Sequence, residues 1–401
     1  MFRYKGIYLQ NPRLRKRLRN VPITFTRNSI AYNNQGEQTP AHTPRLKHYL
    51  NGEYIDALLI EEGTINVCPV NAARGTDTNG DTTNFVAYTG GEISSSTEWS
   101  KEGSRSLKTI TPGVAKGEGN YVGLTGMDAG THSGSMYVKA PLDSKIRLLL
   151  GGGNGYYTGT GLEQYCTVTG SLGATDRFYL ITSSAVDAQA ITMYEDMVQV
   201  EKKAYPTTWQ IPGTERTAET VTIPTSTINP LSGSIEIEFY ISPAIKSTSG
   251  EKYLIDITGA DGYLRLYKAN GSDVFKFDSN NGESTDSIST SVAPTLGGWY
   301  RAVITWGDTT NLYINGALIG TGENGYKPTT PSSFNLGSLH DGTLQCNTYI
   351  RNLMVHREEL GASEVLRRDT NASNGKGYMA KNTTSFILSP TNGLRGYKLK
   401  N

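Results

Sequence analysis

The stretch Gly297–Gly322 reads GGWYRAVITWGDTTNLYINGALIGTG, and its pattern decides the fold. After Trp299 the residues alternate, with Ala302, Ile304 and Trp306 on one side and Arg301, Val303 and Thr305 on the other. A period of two predicts a strand with one buried face. Gly307-Asp308-Thr309-Thr310 interrupts the run, and Leu312 and Ile314 resume it. Asn315-Gly316 follows, the pair that best tolerates positive φ at both centres of a type I′ hairpin turn. Ala317 to Gly320 supplies a third strand, so three strands meander within one stretch. This is the heart of an antiparallel sandwich.

On these residues, W-Y-R-x-V-I-T-W followed by L-Y-I-N-G resembles the central strands of laminin G-like, concanavalin A-like modules. The flanks are similar to that family too: GSIEIEFYISP (Gly233 to Pro243) to its first strand, and YIRNLMVHREELGASEV (Tyr349 to Val365) to its last strand and short helix. The resemblance spans roughly Val221 to Arg368 and implies a fold. It implies no single activity, because such modules serve lectins, adhesins, spacers and some lyases or hydrolases.

The whole chain has 401 residues, enough for two or three domains with real cores. Its 45 Gly, and 24 Tyr against 9 Phe, suit an all-β protein of many short strands. Net charge is +1, so no global field steers the chain toward nucleic acid or membrane. The charge is nonetheless polarised. Residues 1–20 hold seven bases and no acids, leaving 31 of the 38 Lys and Arg against 37 acids in the rest. Cys68, Cys166 and Cys346 are odd in number and far apart, against a disulfide framework or thiolate metal site and in favour of assembly in a reducing compartment. The N-terminus lacks the apolar core of a secretory signal, and no apolar run approaches 18 residues, so no membrane span is expected.

In chain order, residues 1–20 read as a basic arm, either solvated, or ordered against an acidic partner surface, or touching nucleic acid. Residues 21–75 contain F-T-R-x-S-x-A-Y (Phe25 to Tyr32), T-P-R (Thr43 to Arg45) and L-L-I-E-E-G-T-x-N (Leu58 to Asn66). That order resembles a segment of tailed-bacteriophage structural proteins that precedes carbohydrate-binding-like and laminin G-like modules. The resemblance implies a virion-docking segment, with Arg13, Arg15, Lys16, Arg17, Arg19, Arg27 and Arg45 as docking candidates. Arg27 and Arg45 are read either as braces for Glu61 and Glu62 or as surface arginines. Asn71 to Thr83 reads as a polar linker.

Residues 76–212 read as a second β domain. Its strands are Ser106–Thr111, Ser133–Lys139, Ile146–Leu150, Tyr165–Thr169, Phe178–Ile181 and Ile191–Val200, and its segments Gly103 to Lys108, Ser135 to Ala140 and Met197 to Glu201 resemble carbohydrate-binding jelly rolls. Tyr205 to Thr214, with two prolines, reads as a stiff linker into the sandwich of residues 213–368. Residues 369–401 read as a tail that docks on a neighbour or stays disordered.

Chemistry-bearing residues are sparse. Glu236 and Glu238 project from one strand face, as an acid and nucleophile would, but the simpler reading is a solvated first strand. The five His never pair as HxH or HExxH, and no nucleophile elbow or phosphate loop is present. Gly151 to Gly155 joins strands, so it aims no helix amides at a phosphate. No catalytic residue is therefore assigned, and no cofactor is required. Glycan binding needs aromatic platforms, for which Trp99, Tyr121, Tyr156, Tyr157, Tyr263 and Tyr267 are candidates, while Trp299 and Trp306 are assigned to the core. Both module types often carry a structural calcium, which the resemblance implies at Asp196 and at Asp256 with Asp261.

The expectation is thus a non-enzymatic virion protein, a tail fibre or head decoration. It would assemble in the host cytoplasm and pair with portal, tail or capsid proteins, as a homo-oligomer, with host-surface glycans as further partners. A polysaccharide-degrading enzyme with an appended binding module is the alternative.

Overall fold

The hairpin read from Asn315-Gly316 is present, with φ of 48° and 79° at the two residues, joining strands Thr310–Ile314 and Ala317–Gly322. A computed structural model describes residues 18–21, 23–33, 37–50, 53–69, 82–246, 250–291, 293–323, 330–373, 383–389 and 393–399. It divides into two units. The first takes the chain up to Arg27, His42–Glu62 and everything from Ala218 on; the second takes Asn28–Ala41 and Gly63–Thr217.

The first unit is an antiparallel sandwich. One sheet runs, in spatial order, Leu18–Val21, Gly393–Leu399, Thr383–Ser389, Thr348–His356, Gly233–Tyr240, Trp299–Trp306, Thr310–Ile314 and Ala317–Gly322. The hairpin Arg45–Leu50 and Glu53–Ile60 joins it where Leu58 pairs with Ile350. The opposing sheet contains Thr24–Thr26, Thr220–Thr222, Pro331–Leu336, Lys252–Gly259, Gly262–Lys268, Phe275–Asn280 and Thr285–Ser289. Between them, Ile235, Ile237, Phe239, Ile304, Trp306 and Leu312 meet Ile257, Leu264, Leu266, Phe277 and Phe334 in one apolar core. Ile235 lies opposite Ile304 in register, as the alternation requires. Gly233 is needed where it stands, since a Cβ there would come within 2.3 Å of the Trp306 ring.

Three expectations change. The strand Trp299–Trp306 is covered on both faces, because Val303 packs with Tyr313, Leu360 and Val365 at the start of the helix Ala362–Ser373. Trp299 lies outside the main core, half-buried beside Tyr240 with Arg351 stacked 3.8 Å from its ring centroid. The described C-terminal residues are not a separate tail: Thr383–Ser389 and Gly393–Leu399 extend the first sheet, and Leu18–Val21 pairs with the second of them.

The second unit packs two five-stranded antiparallel sheets over its own core, the layering of a jelly roll. All six strands read from the sequence are present. Four more, Phe85–Tyr88, Glu92–Ser96, Gly119–Thr125 and Gly153–Thr158, complete the sheets. The supposed linker Tyr205 to Thr214 is instead packed into this unit. Trp209 is buried edge-on to Tyr32, and the buried Gln210 N–H donates to Gln199 Oε1.

The segment 21–75 does not form a unit of its own. Its pieces are shared out, Arg45–Leu50 and Glu53–Ile60 to the sandwich and Ala31–Tyr32 and Thr64–Ile65 to the jelly roll. Apart from Thr82 and Thr83, the linker Asn71 to Thr83 lies outside the described residues.

Candidate functional site

Period-two alternation gives each strand of the jelly roll an inward and an outward set. In the sheet ordered Gly153–Thr158, Lys145–Leu150, Thr175–Thr182, Gly119–Thr125 and Phe85–Tyr88, the inward set is Phe85, Val122, Phe178, Leu148 and their neighbours. The outward set carries four tyrosines. Tyr121 lies directly opposite Tyr179, and Tyr88 stands edge-on to both, with ring centroids 5.2–6.2 Å apart. Two strands away from Thr175–Thr182, Tyr156 is 59% exposed, so its ring is open to a ligand.

Arginines flank these rings. The Arg177 guanidinium sits 4.6 Å from the Tyr121 centroid and Arg147 5.7 Å from that of Tyr156, both within cation–π range. Arg147 Nε donates to Asn154 Oδ1 at 2.6 Å, which holds the side chain along the sheet. Flat rings edged by hydrogen-bonding groups are what stacking of a sugar's C–H face requires.

Of the six aromatic candidates, the fold brings Tyr121 and Tyr156 to this one face. Tyr157 alternates inward, with its hydroxyl donating to the Thr167 carbonyl at 2.6 Å. Trp99 is half-buried in the loop before Ser106, away from these strands. In the sandwich, Tyr267 is buried, stacked on Tyr253 and donating to Asp278, so it is no platform. Tyr263 lies half-buried beneath Arg265, 3.8 Å from its centroid. Tyr88 and Tyr179 were not read from the sequence. The signal for Tyr179 was there, since Arg177 and Tyr179 alternate with the core residues Phe178 and Leu180.

The docking arginines divide. Arg13, Arg15, Lys16 and Arg17 lie outside the described residues, and Arg19 falls in the strand Leu18–Val21. Arg27 and Arg45 are a correction to the docking role: both are buried, so neither offers its charge to a partner. Arg27 Nη1 donates to Glu219 Oε1 at 2.6 Å, and Arg45 bonds both Glu219 and Glu61. Burial alone would lower the Arg45 pKa, but the charges of Glu219 and Glu61 outweigh it and raise it. Glu62, the other expected partner, lies 3.9 Å from Lys252 Nζ.

The strand carboxylates are likewise not on a solvated face. Glu236 is buried and takes hydrogen bonds from Arg301 at 2.5 Å, Arg368 at 2.8 Å and the ring of His356 at 2.7 Å. Burial would raise its pKa, but the His356 hydrogen bond and the charges of His356, Arg301 and Arg368 hold it down at about 2. Glu238 accepts from Arg351 Nε at 2.7 Å. A general acid needs the opposite shift, and a nucleophile needs a free oxygen.

Neither calcium position fits a cation. The Asp196 oxygens accept backbone N–H groups from Lys101, Glu102 and Met197, donors that would repel a metal ion. Asp256 faces the Arg265 guanidinium at 2.8 Å and the His340 N–H, and Asp261 is exposed with Thr330 as its hydroxyl donor. Among the described residues no group of three or more His, Cys, Asp or Glu is placed to hold a metal ion. All three cysteines are free and buried, and burial pushes the Cys166 and Cys346 thiols up to about 12. No described helix is long and apolar enough to cross a membrane.

Residues 215–366 match the concanavalin A-like lectin/glucanases superfamily. The sandwich is thus a concanavalin A-like domain, and the described residues of the chain are nearly all β. No curated protein sequence matches the chain. Among solved structures it is similar to the Ruminococcus gnavus IT-sialidase CBM40 bound to alpha2,3 sialyllactose, at 17% identity over 36% of this chain and 84% of that one, with a TM-score of 0.28. It is also similar to a heptameric SAP-like pentraxin from Limulus polyphemus, at 18% identity over 42% and 82% of the two chains, with a TM-score of 0.30. The botulinum neurotoxin serotype D binding domain shares 14% identity over 38% and 40%, with a TM-score of 0.32.

Proposed function

We propose that the chain is a non-enzymatic structural protein of a tailed-bacteriophage particle that displays its β units for adhesion to host-surface glycans. The observation that carries the adhesion reading is the outward tyrosine face of the jelly roll, where Tyr88, Tyr121 and Tyr179 cluster and Tyr156 stands open on the same sheet. Buried apolar rings stabilise a core; rings left on the outside of a sheet contribute little to folding and are suited to stacking. The superfamily matched by residues 215–366 is described as lectin/glucanases, so its lectin members fit this reading and its glucanase members fit the enzyme alternative.

The non-enzymatic reading is supported by Glu236, whose oxygens are committed to Arg301, Arg368 and His356. The virion reading is supported by the resemblance of Phe25 to Tyr32, Thr43 to Arg45 and Leu58 to Asn66 to phage structural proteins. With that reading go a homo-oligomeric state, contact with portal, tail or capsid proteins, and a virion location.

The test is a glycan array probed with the full chain, run beside a reducing-end assay on the polysaccharides it binds. Binding without release of reducing ends is the expected result. A blank array overturns adhesion, and release that disappears in Glu236→Gln overturns the non-enzymatic reading. Mass spectrometry of purified particles should find the protein there, and its absence would remove the virion assignment.

A further inference from the structure

We infer that the tyrosine face of the jelly roll takes an anionic polysaccharide, one bearing carboxylates on repeated sugar rings, with Arg147, Arg177 and Lys145 as the groups that receive the charge. This rests on the adhesion reading and specifies its ligand.

The first support is the sign of the face. The outward positions of its five strands carry three cations, Lys145, Arg147 and Arg177, and no carboxylate. Among the described residues all three cations have neutral partners only. Lys145 Nζ donates to Thr158 Oγ1 at 2.9 Å, Arg147 to Asn154 and to Ser184 Oγ at 3.2 Å, and Arg177 Nη1 to Tyr179 Oη at 3.4 Å. Elsewhere in the same unit lysines do find carboxylates: Lys101 pairs with Glu163, Lys108 with Glu98, Lys116 with Asp187 and Lys202 with Asp128. Acidic partners are thus available to cations of this unit, and the three on the tyrosine face have none among the described residues.

Spacing is the second support. Arg177, Tyr179 and Ile181 are successive outward positions of one strand, and Arg147 lies opposite Ile181 on the next. Four residues along and one strand across put the two arginines about 14 Å apart at Cα. Tyr179, with Tyr121 opposite it, lies between them. A ligand that meets both guanidinium groups must therefore carry charge at two points separated by a stackable surface. A polymer with a carboxylate on each ring meets that demand, and a guanidinium binds a carboxylate through two parallel hydrogen bonds.

Room is available as well. Gly123 faces Arg177 in register, and a Cβ added there would meet nothing within 4 Å. The approach to the Arg177–Tyr121 pair is open.

The experiment is affinity electrophoresis of the full chain through gels holding polygalacturonate, alginate or hyaluronan, beside dextran and galactomannan as neutral polymers. A thymidine oligonucleotide is titrated in parallel, because phosphates and stacked bases would use the same groups. The expected result is retardation by at least one acidic polymer and by neither neutral one, weakening as salt rises. Arg147→Gln and Arg177→Gln should each weaken it on the order of tenfold at an unchanged melting temperature. Should either Gln variant melt early, Arg147→Lys or Arg177→Lys, which keeps the charge but loses the bidentate fork, replaces it in the same gel.

Retardation by a neutral polymer that ignores both arginines would overturn the inference and leave adhesion standing. Binding of the oligonucleotide alone, with arginine dependence, would overturn it in favour of nucleic acid. Binding to no polysaccharide of either kind would remove the adhesion reading and this inference together.

Discussion

Arg45 and Glu219 lie 174 residues apart in the chain and are joined by two hydrogen bonds, Nη2 to Oε2 at 2.5 Å and Nε to Oε1 at 3.0 Å, with both side chains fully buried. Glu219 also takes Arg27 at 2.6 Å, so one carboxylate answers two guanidinium groups inside the sandwich unit. Removing it would strand both. Glu219→Ala should therefore cost about 3–5 kcal/mol, as broken buried pairs do. Chemical denaturation of the full chain measures this, and a loss below 1 kcal/mol would mean that the arginines find water.

Ile304 lies opposite Ile235 in the middle of the sandwich core and is fully buried. Ile304→Ala should cost about 2–5 kcal/mol. Val303 is buried as well, on the other face beneath Leu360 and Val365, so Val303→Asp should also destabilise, contrary to what a solvated face would allow. Unchanged melting for Val303→Asp would place the helix Ala362–Ser373 off that face.

The contrast between these residues shows what the sequence can carry. Alternation is a local signal, so Ile304, Trp306, the Asn315-Gly316 turn and six jelly-roll strands were all legible from neighbouring residues. Glu219 was not, because its partners are remote in the chain and nothing beside it marks it as buried. The tyrosine face was half legible. Tyr121 and Tyr156 stand out as aromatics, but which residues share a face depends on strand pairing between segments as distant as Phe85–Tyr88 and Thr175–Thr182. Strand Phe85–Tyr88 also reads poorly, since three of its four residues are exposed.

Two buried carboxylates give opposite pH dependences. Glu236 has its pKa held at about 2, below the ordinary 4.5, so its contribution is complete above pH 4.5 and is lost as pH falls toward 2. That loss is roughly 3 kcal/mol. Thermal melts of Glu236→Gln should be less stable than the parent at neutral pH and converge on it in acid.

Glu195, inside the jelly roll, is shifted the other way. Burial pushes it up to about 8, with the Asn120 amide opposing and the neighbouring Asp196 adding to the rise. The folded state then holds a proton that the unfolded chain has released, so stability falls as pH rises from about 4.5 to about 8. Glu195→Gln keeps the shape without the charge. It should flatten that decline and exceed the parent above pH 8 by a few kcal/mol, on the order of the linkage for such a shift. A parent whose jelly-roll transition is level across that range would contradict the buried placement.

The pairing of Leu18–Val21 with Gly393–Leu399 makes the start of the sandwich sheet depend on its end. Deletion of residues 1–21 should lower the melting temperature below that of a deletion of residues 1–17. Equal melting temperatures would show that this edge strand adds no stability.

The central claim is that glycans are held by the outward tyrosines of the jelly roll. The most direct measurement is NMR of the full chain with ring-labelled tyrosine, titrated with a polysaccharide that the array identifies. The account predicts shifts at Tyr88, Tyr121, Tyr156 and Tyr179, with Tyr263 and Tyr267 of the sandwich unmoved. Shifts confined to the sandwich tyrosines, or the four jelly-roll rings unmoved at saturation, would contradict it.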